Sequence, residues 1–243
     1  RLALSANADK MKPNCPPLIF VPGGYHGAWC FALWMRELEQ QAWPSGAIDV
    51  RGHGGLQQNG DFPKAGVEAM AADVKVASGH LDEPPILCGH SLGALLVAVA
   101  AQSIEVAGLV LLAPSPPGNL PGAKKVPTVS DDAVVQPPSI DEAMQRFYPR
   151  WNEPNIASML ERLTPESPRL LNDRYQLRIP VDAGRINAPA LCISTGLDDH
   201  ARHPPGQDEA VATFYGADHH HLPNASHCLM VDPDWHEGLD IIL

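Results

Sequence analysis

Cationic charge is in short supply in this chain: 17 Lys and Arg stand against 28 Asp and Glu, a formal net charge of -11. That balance speaks against a broad footprint for nucleic acid and against an anionic membrane surface, though it leaves room for a local cationic pocket. Cysteine is also sparse. The five present, Cys15, Cys30, Cys88, Cys192 and Cys228, are odd in number and none has C-x-x-C spacing. Neither a disulfide framework nor a zinc cage is suggested, and a reducing compartment, the cytoplasm, fits best. No apolar run is long enough to span a bilayer, and the stretch from Arg1 lacks the charged-then-apolar pattern of a secretory leader. Neither internal repeats nor an H-E-x-x-H metal motif occur. His219-His220-His221 and the Asp199-His200…His203 group contain ligand-type residues without such a framework, so no metal site is expected. The five tryptophans are scattered and read as packing residues.

Short apolar runs alternate with longer amphipathic ones. Strands are expected at 18–21, 47–50, 85–88, 106–113, 190–195 and 216–222. Helices are expected at 28–41, 65–78, 92–102, 207–214 and 234–243. In the first helix Phe31, Trp34, Met35 and Leu38 share a face. Such alternation predicts an α/β fold: a mainly parallel sheet flanked by helices. Between 114 and 187 the rhythm breaks. A Pro/Gly-rich loop leads into short helical patterns at 140–147, 155–163 and 167–175, a length of insertion that is usually functional. The expected organisation is therefore a core of 1–113 and 188–243 carrying a helical cap insertion at 114–187.

Gly89-His90-Ser91-Leu92-Gly93 is a G-x-S-x-G motif between a strand and a helix, the context that lifts a serine hydroxyl into the open at a helix N-terminus. A serine needs a general base. Of eleven histidines, His227 lies after the last strand and before the last helix, where a loop reaches the same sheet edge. The group orienting its imidazole is expected on the loop after the preceding strand, where Asp198 and Asp199 both stand. Acyl transfer also needs oxyanion donors. The Leu92 N–H follows the nucleophile, and Gly24 N–H, on the loop after the first strand, is the expected second donor.

These motifs resemble those of the cofactor-free α/β-hydrolase superfamily over nearly the whole length. Val21-Pro22-Gly23-Gly24-Tyr25-His26-Gly27-Ala28-Trp29-Cys30 resembles the oxyanion loop of the branch containing plant methylesterases and hydroxynitrile lyases, with bacterial cofactor-free esterases nearby. Pro22-Gly23 replaces the His-Gly usual there; a backbone donor survives that change. Arg51-Gly52-His53-Gly54 is similar to the superfamily's R-G-H-G turn, which implies a structural role for His53. The resemblance places a G-x-x-D pattern at Gly196, which lands on Asp199 as the acid: the chain is expected to turn at the glycine before a carboxylate points back to the imidazole. No counterpart of the lyase branch's active-site lysine is evident near His227. A serine rather than an aspartate at the elbow argues against dehalogenase and epoxide hydrolase chemistry.

The expected activity is hydrolysis of a carboxylic ester, lactone or thioester by Ser91, His227 and Asp199, with a small-molecule substrate and no cofactor. Carbon–carbon hydrolysis or lyase chemistry with the same triad, and a non-catalytic small-molecule receptor on this fold, stand as alternatives; turnover of a generic p-nitrophenyl ester separates the receptor from the enzymes. Tyr25, His26, Phe147, Tyr148 and Trp151 are the expected substrate-binding residues, His26 having the alternative role of pinning its loop.

Overall fold

The computed structural model describes residues 2–5 and 15–243. Arg1 and part of the stretch assigned to the core's N-terminus lie outside the described residues. Among the described residues seven strands form one sheet in the order β1-β3-β2-β4-β5-β6-β7. They are β1 (Leu2–Ser5), β2 (Leu18–Val21), β3 (Ser45–Ile48), β4 (Ile86–His90), β5 (Gly108–Leu112), β6 (Ala190–Leu197) and β7 (Asp218–Ser226). All neighbours pair in parallel except β1, which runs antiparallel to β3. The six parallel strands sit at the expected places; β1 was not anticipated. β2, β4 and β5 are almost fully buried, which is why they read as unbroken apolar runs rather than alternating ones.

Eight helices accompany the sheet among the described residues: α1 (Ala32–Gln40), α2 (Val67–Ser78), α3 (Leu92–Ala101), α4 (Ile140–Arg146), α5 (Glu153–Leu160), α6 (Pro168–Tyr175), α7 (Gln207–Tyr215) and α8 (His236–Ile242). The first expected helix begins instead as a 3-10 turn, Ala28–Phe31, before α1 takes over; Phe31, Trp34 and Leu38 are buried as the spacing predicts, with Met35 at the edge of the core. Every residue of α3 except Val99 is buried, so this helix is apolar all round. It packs beneath α2, while α1 meets the C-terminal turn Leu229–Val231. There the Trp34 indole donates to the Trp235 carbonyl at 2.9 Å. Cys30, Cys88, Cys192 and Cys228 are buried and serve the core as small apolar residues. No described helix is long and apolar enough to cross a membrane.

The strand order places the site. β3 lies on one side of β2 and β4 on the other, so the order in which strands are added reverses between β2 and β4, and the crevice beyond the C-terminal ends of such a pair is where ligands collect. Val21 and Gly89 are register partners, so the loops that follow β2 and β4 leave the sheet level with each other.

The segment 114–187 between β5 and β6 holds α4, α5 and α6 and a single β-bridge between Val135 and Glu166. It is sewn to the rest of the chain by polar contacts. Thr164 N–H donates to Tyr25 O at 2.9 Å, and the Ser167 hydroxyl donates to Ala65 O at 2.7 Å.

Candidate active site

Ser91 is the cap residue of α3 and has φ 53° and ψ −117°, a conformation that costs a non-glycine residue of order 1–3 kcal/mol. The surroundings hold it there: its N–H donates to Leu112 O at 2.9 Å and its carbonyl accepts from Ser115 N–H at 3.0 Å. The flanking glycines are required by close approach. A Cβ at Gly89 would stand 2.4 Å from Gly93 O, and one at Gly93 would stand 2.3 Å from Val21 O. The elbow thus presses α3 against both its own strand and β2.

Ser91 opens into a cleft. The walls include Gly24, Tyr25, His26, Leu92, Phe147 and His227. His227 Nδ1 lies 2.9 Å from Oδ2 of Asp198. Asp198 also accepts the Thr195 hydroxyl at 3.0 Å and, through Oδ1, the Asp199 N–H at 2.8 Å. Burial opposes its charge, but His227, His203 and these donors outweigh burial and hold the carboxyl well below the usual range. An ionised acceptor fixes the proton of His227 on Nδ1, leaving Nε2 for proton transfer.

Asp199, the expected acid, does not reach the imidazole. Its carboxylate accepts the Ala201 N–H at 2.9 Å and pairs with Arg202 at 2.5 Å, closing the turn after β6. The expectation fails on Gly196. That glycine does not turn the chain: β6 continues through it to Leu197, with an irregular register against β7. It is a glycine because a Cβ there would stand 2.1 Å from Pro223 O. The strand therefore ends two residues later than the sequence suggests, and the carboxylate just past its end is Asp198.

Two substrate-binding expectations are also corrected. Phe147 lines the cleft, but Tyr148 and Trp151 do not. Tyr148 is fully buried, its hydroxyl 2.5 Å from His26 Nε2, and the Trp151 backbone N–H donates to the Tyr148 carbonyl at 2.9 Å, extending the turn behind the wall. His26 borders the cleft with both nitrogens engaged. Its Nδ1–H donates to Gly24 O at 2.8 Å; burial pulls its pKa down to about 4, so the ring is neutral and Nε2 accepts the Tyr148 O–H. The ring ties the Gly24 loop to the end of α4.

His90, inside the motif itself, is buried and donates from Nε2 to the His227 carbonyl at 2.9 Å. Burial and the neighbouring imidazoles push its pKa well below the usual value, so it holds the His227 loop as a neutral ring. His53 lies outside the cleft wall, 2.9 Å from Oε2 of Glu166, whose same oxygen accepts the Tyr25 N–H at 3.1 Å.

Sequence reasoning missed the cationic part of the wall: Arg146, Arg174 and Arg202, together with Tyr175 and His203. Charged residues in an amphipathic pattern read as solvated, and only their burial distinguishes them. His219 and His221, on one face of β7 as strand alternation predicts, both contact the Ser194 hydroxyl at 2.9 Å. A cation could be bridged by atoms of Asp198, His203 and His227, which lie within 4.8 Å of one another. Asp198 and His227 already share the hydrogen bond just described.

A parallel sheet with a strained serine at this elbow defines a class, and comparison with known proteins agrees. The model of the alpha/beta hydrolase family matches residues 18–236, and the chain belongs to that family. It is a hydrolase enzyme with the α/β-hydrolase fold. No curated protein matches it in sequence. Among solved structures, it is similar to a methylesterase from Arabidopsis at 18% identity, with 93% of this chain and 97% of that one covered and a TM-score of 0.74. An enol-lactonase from Burkholderia xenovorans LB400 gives 17% identity, coverage of 100% and 94% and a TM-score of 0.74. A probable hydrolytic enzyme from Pseudomonas aeruginosa PAO1 gives 16%, 99% and 88%, and 0.77. At such identities the likeness is one of fold.

Proposed function

We propose that the chain hydrolyses a carboxylic ester, lactone or thioester through an acyl-enzyme, with Ser91, His227 and Asp198 as the triad. The observation that carries this reading is the 2.9 Å contact between His227 Nδ1 and the buried, ionised Asp198, in the same cleft as the strained serine. Ser91 Oγ forms a bond to the acyl carbon while its proton passes to His227 Nε2. The Asp198 carboxylate stabilises the imidazolium. The tetrahedral oxyanion receives the N–H groups of Leu92 and Gly24, both at the cleft wall. As the intermediate collapses, the bond to the leaving group breaks and His227 gives that group the proton. Water, deprotonated by the same nitrogen, then attacks the acyl carbon and releases the acid and free Ser91.

The segment 114–187 acts as a cap on a core formed by the rest of the chain: Arg146, Phe147, Leu171, Arg174 and Tyr175 come from it to the cleft. The methylesterase and enol-lactonase likenesses are consistent with a small-molecule acyl substrate. The test is labelling by a fluorophosphonate with peptide mapping, beside turnover of p-nitrophenyl esters. A phosphonyl adduct on Ser91 is expected, lost in Ser91→Ala; labelling that survives this change refutes the assignment.

A further inference from the structure

Three arginines from three separate elements line the Ser91 cleft: Arg146 at the end of α4, Arg174 in α6 and Arg202 on the loop after β6. Two have carboxylate partners. Arg146 pairs with Glu142 at 2.6 Å, and Arg202 pairs with Asp199. Arg174 differs. It is only 3% exposed, and the sole described hydrogen bond of its guanidinium runs from Nη2 to the Arg202 carbonyl at 2.8 Å. Its Nη1 is buried without a hydrogen-bond partner among the described residues, and the same holds for Nε of Arg146 and Nε of Arg202. The carboxylates nearby are committed elsewhere: Asp198 to His227, Asp199 to Arg202, and Asp208 faces His203.

Arg174 forms no ion pair among the described residues and feels only the more distant charge of Asp208, and a buried cation held so loosely is costly. Burial draws the Arg174 guanidinium down to about 10, which leaves it charged at neutral pH. A planar fork with a spare N–H, beside two others with spare N–H groups, suits a planar bidentate anion.

We propose that Arg174, flanked by Arg146 and Arg202, binds a carboxylate on the substrate other than the acyl group being cleaved, so that the enzyme prefers hemiesters or lactones of dicarboxylic acids. This inference rests on the acyl-hydrolase reading of the same cleft. The second carboxylate takes no part in bond making; it fixes the acyl carbon relative to Ser91.

The experiment compares mono-p-nitrophenyl esters of succinate, glutarate and adipate with p-nitrophenyl esters of uncharged acids of matched length. For at least one length kcat/KM should be higher for the charged ester. In Arg174→Gln the charged-to-neutral ratio should fall by about ten- to hundredfold, the range for losing one hydrogen bond to a charged group. Arg174→Lys should recover part of it. A ratio unchanged by Arg174→Gln, or a neutral preference at every length, overturns the proposal. A second arm needs no turnover: free glutarate and adipate should raise the melting temperature of the wild type and not of Arg174→Gln, whose own fold is followed by circular dichroism. If no ester is hydrolysed but the dicarboxylates bind through Arg174, the hydrolase reading fails and the anion site stands. If esters are hydrolysed and the dicarboxylates do not bind, the anion site fails alone.

Discussion

His53 Nε2 and Glu166 Oε2 lie 2.9 Å apart, and neither side chain meets solvent. Nδ1 of the same ring donates to the Arg51 carbonyl at 3.0 Å. With an acceptor on each side, the ring carries both protons. Burial works against that charge, but the Glu166 carboxylate and the backbone acceptor outweigh it and raise the pKa above 6.5. Glu166 in turn holds Tyr25 N–H, next to the proposed oxyanion donor, so the pair joins the turn after β3, the segment between β5 and β6 and the loop after β2.

Breaking this pair should be expensive. Glu166→Gln keeps the shape and removes the charge, and a buried ion left alone costs about 3–5 kcal/mol. Urea denaturation should show that loss. The pair should also make stability depend on pH in a definite direction. A histidine with a raised folded pKa contributes fully below its unfolded value and loses that contribution as pH rises through the folded value. Wild-type stability should therefore decline on the alkaline side of 6.5, and this component should be absent in His53→Gln.

Asp198→Asn should lower kcat by about 10⁴ on an activated ester, because an amide can favour the wrong imidazole tautomer. Asp199→Asn should cost less than about fivefold, since a partly exposed ion pair contributes about 1 kcal/mol or less. Two mild effects would remove both aspartates from the triad.

Tyr148→Phe removes the hydroxyl whose proton His26 accepts. The Cys228 sulfur, 3.6 Å from the same nitrogen, is a weak donor that replaces it only in part, so stability should fall by about 1 kcal/mol. The Gly24 loop loses its tie to α4, so kcat should fall more than KM rises. An effect confined to KM would mean that Tyr148 acts on the substrate rather than on the loop.

Ser91→Gly and Ser91→Ala should both be inactive, yet differ in stability. Alanine inherits the positive φ, whereas glycine adopts it freely, so the glycine variant should be the more stable by about 1 kcal/mol or more in thermal melts.

Features built on local chemistry were legible in the sequence. The small residues around Ser91 imply a tight strand-to-helix turn, and the apolar runs of β2, β4 and β5 imply buried parallel strands. Features fixed by long-range packing were not. Gly196 looks like a turn residue, but its missing Cβ makes room for the Pro223 backbone, a contact between strands 27 positions apart in the chain. Phe147 and Tyr148 are neighbours with similar side chains, and only the way α4 ends sends one into the cleft and the other behind it. Arg174 has nothing in its local pattern to show that α6 buries it. The antiparallel β1 is four residues long, too short for periodicity to reveal.

The four buried thiols give the enzyme a set of internal clocks. Cys88 and Cys192 sit in interior strands, while Cys30 follows the loop after β2 and Cys228 adjoins His227, its sulfur 3.6 Å from His26 Nε2. Burial raises all four thiols, so a reagent that needs the thiolate must wait for the chain to open. The modification rate at each sulfur then reports the opening free energy of its own region. If the loops around the site breathe independently of the sheet, Cys30 and Cys228 will react well before Cys88 and Cys192. If the site is as firmly held as the strands, all four will react together, at the pace of global unfolding.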